Sequence, residues 1–391
     1  MDIILAESPW DIFTALLIVC AGAAYFAQRP IKSLDSTMSM CIYIWHTLFC
    51  IYYAWFTLDN SADAPGYFRR SFNPRLEFGL GTKGVDAFTA IFTQGLNLSY
   101  IGVFLVFNII GAIGLAAYAG ALREILAVKS QNVRRFSTLF IFLPGVSFWS
   151  VAIGKDALAF FGTGLLAWGI LNIRQRWVAI LLAVLAYTLV RPHVVAVIVI
   201  ALTASVIFSN RMSAGRKIIL GGMSLAICVV ALQFALSAIG LGDIGTSDDV
   251  YEFLEYRQSV NLEGGSSIDI SSMNMAMRLF YCAFAPLFFG VGGGMGLVAS
   301  LENLFILGVV IRGALNKYRV SADLPSGAKW FYVVFAMISW IIFSNTTANL
   351  GIALRQKWMY MPMLLLFVLA CFPNRRREAA YDQFNWPPAR Q

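Results

Sequence analysis

Charge is what this chain has least of. Only 13% of its 391 residues are Asp, Glu, Lys or Arg, against about 25% in an ordinary soluble domain. So few charges cannot cover the surface of a soluble fold this long. The 59% of apolar residues, the 14% of aromatics and a mean hydropathy of +0.71 point the same way: an all-α, polytopic integral membrane protein. Histidine is nearly absent. His46 and His193 cannot build a zinc site with six cysteines that lie in or beside apolar segments and lack C-x-x-C spacing. No D-x-D pair is present either, so neither metal nor cofactor is expected. The first apolar run follows Asp2 and Glu7 rather than a basic stretch, which predicts a retained helix and not a signal peptide. No internal period of repeat length is evident.

What is present organises itself by hydropathy. Runs long enough to cross a bilayer, which takes roughly 20 residues, fall near 9–27, 38–57, 99–121, 136–153, 156–172, 177–190, 194–209, 218–240, 296–312, 329–346 and 357–373. The reading is therefore about 11 transmembrane helices forming one domain over 1–373, with a polar tail at 374–391. Two long polar loops, 58–98 and 241–277, separate spans, and SDDVYEFLEYR within the second is spaced as a short amphipathic helix. The stretch 278–295 is apolar but interrupted by Pro286 and by Gly290, Gly292, Gly293 and Gly294. It is expected to be re-entrant or interfacial, where protein or water must satisfy the irregular backbone.

The net charge of +8 does not indicate nucleic acid, because the basic residues sit in short clusters between apolar runs. Arg29 and Lys32, Arg123 to Arg135, Arg174 and Arg176, Arg211 to Lys217, Arg312 to Lys329 and the arginines of the tail all fall on alternate loops. The positive-inside rule then puts the C-terminus in the cytoplasm and the N-terminus outside.

Charges near membrane depth suggest function, and here they gather at one face. Lys155 and Asp156 interrupt SFWSVAIGKDALAFF, and Arg191 and His193 lie in RPH. Arg257 precedes NLEGGSSIDI, Arg278 opens the glycine-rich piece, and Arg355 and Lys357 lie in NTTANLGIALRQKWM. Arginine forks grip phosphate at two points, and the amides of Gly264, Gly265 and Ser266 would add donors. Such a set suits a diphosphate held as a leaving group. A plainer account makes Gly154–Asp156 a helix boundary and lets Arg191 and Arg355 snorkel to lipid headgroups. Glu302, surrounded by apolar neighbours in ASLENLFIL, must be paired or face a cavity, with Arg278 and Arg312 its nearest candidates along the chain. Asp156 or His193 would serve as the base, with Glu252, Glu255 and Asp269 in reserve.

These residues carry a resemblance. LPGVSFWSVAIGKDALAFFG, RPHVVAVIVIALTA, YRQSVNLEGGSSIDI, LFYCAFAPLFF with ASLENLFIL, and TANLGIALRQKWMYMPMLLL together resemble the Wzy-type O-antigen and exopolysaccharide polymerases of bacterial polysaccharide clusters, in order over 140–373. The resemblance implies a metal-independent glycosyltransferase in the bacterial inner membrane. It would move a growing glycan from undecaprenyl diphosphate onto an incoming lipid-linked repeat unit at the periplasmic face. Lys155, Asp156, Arg191 and Arg355 match the family pattern, and Arg257 and Glu302 follow less closely. The implied partners are membrane lipids, undecaprenyl-diphosphate-linked oligosaccharides, and chain-length regulators or export components. An O-antigen ligase or another lipid-linked-sugar transferase is the first alternative. A lipid-linked oligosaccharide flippase would need mirrored halves meeting at the midplane, which the chain does not display, and a non-catalytic scaffold is the last.

Overall fold

In the computed structural model, residues 3–208, 213–238, 270, 272–288, 293–315 and 324–372 are described, and they contain helices and no strand. In chain order the helices are α1 (Pro9–Ala27), α2 (Ser36–Asp59), α3 (Asp63–Arg70), α4 (Thr82–Thr93), α5 (Tyr100–Ile125), α6 (Gln131–Thr138), α7 (Pro144–Ser150), α8 (Lys155–Gly169), α9 (Ile173–Val190), α10 (Pro192–Ile207), α11 (Ala214–Ala238), α12 (Met275–Phe284), α13 (Gly293–Ala314), α14 (Ser326–Thr346), α15 (Leu350–Gln356) and α16 (Met361–Ala370).

Local chemistry starts these helices where they start. Ser8 and Asp11 form a reciprocal capping box with Pro9 in the first turn of α1. The Asp35 carboxylate accepts from the Met38 N–H at 2.8 Å to open α2, and Ser99 caps α5. Once formed, the helices turn apolar side chains outward. Trp10, Phe13, Leu16 and Leu17 of α1, Trp177, Leu181 and Leu185 of α9, and Ile218, Ile219 and Leu225 of α11 are all exposed. Faces this apolar suit lipid and not water.

Six helical runs among the described residues are long and apolar enough to cross a membrane: Pro9–Ala27, Ser36–Asp59, Tyr100–Val128, Lys155–Val190, Gly293–Ala314 and Ser326–Thr346. The chain is thus a helical, membrane-embedded protein, with fewer full-length crossings among its described residues than the eleven expected. Two departures account for part of the difference. The run expected at 136–153 is broken into α6, a 3-10 turn and α7, because Pro144 offers no amide hydrogen to a preceding helix. The last run, expected over 357–373, is half of a pair: Leu350–Met359 and Met361–Ala370 meet at 54°. The 278–295 piece, expected to be re-entrant or interfacial and not counted among the eleven, starts within the ten-residue α12, about 15 Å long, and reaches a cis Ala285–Pro286 bond.

The run Lys155–Val190 is not one long rod. A straight helix would separate Asp156 from Arg191 by roughly 50 Å, yet their side chains hydrogen-bond at 3.0 Å. Thr163 and Tyr187 likewise meet at 2.6 Å. The chain folds back through 170–176, where Arg176 leaves helical geometry, so α8 and α9 form an antiparallel hairpin. This hairpin carries two site residues to the same end of the bundle.

Glycine permits the close packing beneath it. Gly114 of α5 and Gly164 of α8 approach until a Cβ on Gly164 would fall on the Gly114 carbonyl, the small-residue contact that lets helix backbones touch in a membrane. Gly164→Val is expected to cost about 1–3 kcal/mol. A thermal melt of the purified variant checks it, with Gly222→Ala, beside which nothing lies within 4 Å, as the neutral control.

The two ends of the bundle differ. At one, Arg123 pairs with Asp35 at 2.5 Å, Arg176 with Glu124 at 2.8 Å, and Lys129 caps the end of α16 through the Ala370 and Phe372 carbonyls. At the other, the Ile101 amide bonds to Leu5 O, and the Gly81 amide to Leu189 O at 2.8 Å. The loop expected over 58–98 is structured there. It holds α3 and α4, tied together by Arg70, whose Nε donates to both Asp86 oxygens at 3.1 and 2.9 Å. Most of the second expected loop, 241–277, lies outside the described residues, as does the expected amphipathic helix within it.

Candidate functional site

The cluster at this second end begins at the α9–α10 junction. Pro192 ends α9, because the residue before a proline is driven away from helical geometry. Arg191 accordingly sits at φ −148°, ψ 68°, its N–H bonded to Tyr187 O at 2.7 Å. Its Nη2 donates to Oδ1 of Asp156 at 3.0 Å. Asp156 lies in the first turn of α8 after Gly154, where the helix dipole favours negative charge. It does not cap that helix; Gly154 occupies the cap position. The second oxygen, Oδ2, faces Arg355 Nε at 3.6 Å. Arg355 Nη1 then donates to Oδ2 of Asp63, at the start of α3, at 2.5 Å.

Two arginines and two carboxylates thus alternate in a chain that joins α8, α9–α10, α15 and α3. Burial grades along it: the side chains of Arg191 and Asp156 are 12% and 15% exposed, and Asp63 is 60% exposed. The Nε atoms of Arg191 and Arg355 are buried without a hydrogen-bond acceptor among the described residues. Buried donors left unpaired are costly, and anionic oxygens are the acceptors that would satisfy guanidinium best. Tyr67 of α3 stands over Gly154. Burial, helped by Asp63 and Asp156, pushes its phenol up to about 12, so near neutrality it remains a hydroxyl that can donate.

The grading predicts two different costs. Asp63→Ala removes an exposed partner and is expected to change stability by less than about 1 kcal/mol. Asp156→Ala strands the largely buried Arg191 guanidinium, takes one of two carboxylates from Arg355, and is expected to cost on the order of 3 kcal/mol. Denaturant titration of the two purified variants beside the wild type separates them.

Arg355 and Asp63 also form the rim of a cavity of about 1120 Å³. Its walls are written in helical periodicity. Phe49, Tyr52, Tyr53 and Phe56 recur at i, i+3, i+4 and i+7 along α2, and Met295, Val298, Ala299 and Glu302 repeat that spacing on α13. Gly145, Phe148 and Trp149 of α7 form the back wall. Tyr52, Met295 and Val298 are themselves exposed, so the cavity opens sideways between α2 and α13. A buried network holds the back wall in place: His46 of α2 bonds through Nδ1 to Asn108 of α5 at 2.6 Å and through Nε2 to Ser150 of α7 at 2.8 Å.

Deeper in the cavity lies a second group of charges. Glu302 Oε1 accepts from the Gly145 N–H at 2.6 Å, and Lys357, 1% exposed, supplies the opposite charge beside it. Lys357 Nζ donates to Oδ1 of Asn303, whose Nδ2 donates to Pro286 O at 3.2 Å. The sequence placed Glu302 correctly among apolar neighbours but pointed to the wrong partners. Arg278 is engaged at the α12–α14 contact, donating to Met273 O at 3.0 Å and Asn345 Oδ1 at 3.2 Å. Arg312 lies near the far end of α13, beside Phe136 and Phe372.

Of the residues the sequence singled out, the structure joins Asp156, Arg191 and Arg355 directly. Lys155 stands beside them in the first turn of α8, its Nζ close to where a Cβ on Gly81 would lie. Lys357 and Glu302 line the same cavity. His193 is in the first turn of α10, and neither it nor Arg278 lines that cavity. Glu252, Glu255, Arg257, Gly264, Gly265, Ser266 and Asp269 lie outside the described residues. Sequence reasoning did not pair Asp63 with Arg355 and overlooked Asn303 and the aromatic ridge of α2. The ridge had a signal in its spacing; Asp63 had none, being 292 positions from the arginine it holds.

No protein-family model matches the chain, and neither the curated proteins nor the solved structures contain a match to it.

Proposed function

We propose that the protein is a polysaccharide polymerase of the bacterial inner membrane, with about eleven spans, its N-terminus outside and its C-terminus in the cytoplasm. The observation that carries the reading is the juxtaposition of Arg191 and Arg355, each with a buried Nε that has no hydrogen-bond acceptor among the described residues, and a large aromatic-walled cavity that opens sideways. A polyprenyl diphosphate has the matching parts. Its diphosphate needs guanidinium forks, its hydrocarbon chain needs an apolar lateral entrance, and its sugar needs an enclosed space.

In the proposed reaction the diphosphate of a glycan-bearing undecaprenyl carrier lies against Arg191 and Arg355. These cations stabilise it as it departs, while a hydroxyl of the incoming lipid-linked repeat attacks the anomeric carbon. Asp156 contacts both guanidiniums and acts as the positioning residue that holds them together. Asp63, the exposed acid on Arg355, is the partner most easily exchanged for substrate oxygens.

The test is a deletion strain complemented with wild type, Arg191→Ala or Arg355→Ala, followed by resolution of surface and lipid-linked glycans by length. Single repeat units without long chains in the deletion and in both variants are expected. Long chains that stay on the lipid carrier would indicate a ligase, and unpolymerised units retained on the cytoplasmic face would indicate a flippase.

A further inference from the structure

The rim arginines leave one requirement of this reaction unmet: a group to take the proton of the attacking hydroxyl. Asp156 is poorly placed for it, because one carboxylate oxygen accepts from Arg191 and the other faces Arg355. Glu302 is the opposite case. Its Oε1 is fixed by the Gly145 N–H, and its Oε2 accepts no hydrogen bond among the described residues, although the side chain lines the cavity. Gly145 is a glycine for a reason visible here, since any Cβ at that position would collide with Oε2. Beside it, Lys357 spends one hydrogen bond on Asn303 and, like any ammonium, has three donors.

We infer that Glu302, Lys357 and Asn303 form a hydroxyl-binding subsite for the acceptor sugar, in which Glu302 Oε2 accepts the proton of the attacking hydroxyl; this rests on the transferase reading above. Arg355 and Lys357 are two residues apart and line one cavity, so a diphosphate at the first puts the anomeric carbon it carries on the side of the second. Tyr53, Phe148, Trp149 and Trp358 wall the space between and offer flat apolar faces to sugar rings. An acid at membrane depth, facing a cavity, is retained for a purpose more often than by accident.

The step balances. The hydroxyl oxygen bonds to the anomeric carbon as the bond from that carbon to the diphosphate oxygen breaks. The electron pair leaves with the diphosphate, whose charge Arg191 and Arg355 take up. The hydroxyl proton passes to Glu302.

The experiment uses purified full-length wild type, Glu302→Gln, Glu302→Asp and Arg355→Ala in nanodiscs. Two quantities are read: binding of undecaprenyl diphosphate, and chain formation from lipid-linked repeat units extracted from cells lacking the gene. Glu302→Gln keeps an oxygen for the Gly145 amide, so its melting temperature monitors folding. It is expected to bind undecaprenyl diphosphate within threefold of wild type and to lose at least about 100-fold in chain formation, the scale of a removed general base. Glu302→Asp should retain more activity than Glu302→Gln, and Arg355→Ala should lose binding and chain formation together. Chain formation by Glu302→Gln at the wild-type rate, with Arg355→Ala inactive, would overturn the inference and leave the polymerase reading intact. Joint loss of binding and turnover in Glu302→Gln would also overturn it, making Glu302 a structural group. If wild type itself neither binds the carrier nor forms chains, the polymerase reading fails and the inference with it.

Discussion

Arg355→Ala is expected to remove long-chain product, with turnover falling on the order of 10²–10³-fold, the usual effect of deleting one preorganised charge-stabilising donor. Arg355 reaches Asp63 and Asp156 at once and forms the rim of the cavity. Arg191 does not replace it, because its Nη2 is directed at the other oxygen of Asp156. Arg355→Lys restores the charge but not the planar fork, so it should remain well below wild type. Arg123→Ala is the matched control. It removes an arginine from an exposed pair with Asp35 at the opposite end of the bundle and should leave chain length unchanged. Gel-resolved glycans from complemented cells, normalised to membrane protein level, measure all three.

The second large effect concerns stability. Lys357→Met is expected to destabilise the protein by up to about 3 kcal/mol, because it removes the opposite charge that acts on the buried Glu302 and leaves Asn303 Oδ1 without its donor. The lysine is 1% exposed, and Glu302 is 5% exposed and has the Gly145 amide as its one hydrogen-bond donor among the described residues. Neutralising both buried charges should recover much of that loss, since no uncompensated buried charge then remains. Thermal unfolding in nanodiscs of wild type, Lys357→Met and the Lys357→Met/Glu302→Gln double variant checks the sign at each step. A single variant as stable as wild type would mean that the pair carries no energetic weight in the folded protein.

How much of this was legible beforehand depends on the range of the interaction. Asp156 and Arg191 were visible because a charge inside an apolar run is conspicuous, and the polar break between α8 and α9 was enough to place them at one face. Glu302 stood out for the same reason. Its partners did not, because Gly145 and Lys357 are 157 and 55 positions away and neither Gly nor a Lys near a span end is unusual. Nearest basic neighbours along the sequence were therefore chosen, and both were wrong. Hydropathy also overstated regularity. The segment 136–153 is apolar enough for a crossing, but Pro144 and Gly145 interrupt it, and that interruption is what makes α7 the back wall of the cavity. The aromatic residues of α2 were given no role, although their spacing already aligned four of them on one stripe.

The central claim is that this one chain joins lipid-linked repeat units, using the arginines at the cavity rim. The most direct measurement is reconstitution: purified wild type and Arg355→Ala in nanodiscs, supplied with lipid-linked repeat units and no other protein, with the product resolved by length. A ladder of lengthening lipid-linked glycans from wild type, absent from Arg355→Ala, is the result expected. Repeat units that remain single with wild-type protein, or a ladder undiminished by Arg355→Ala, would contradict the account.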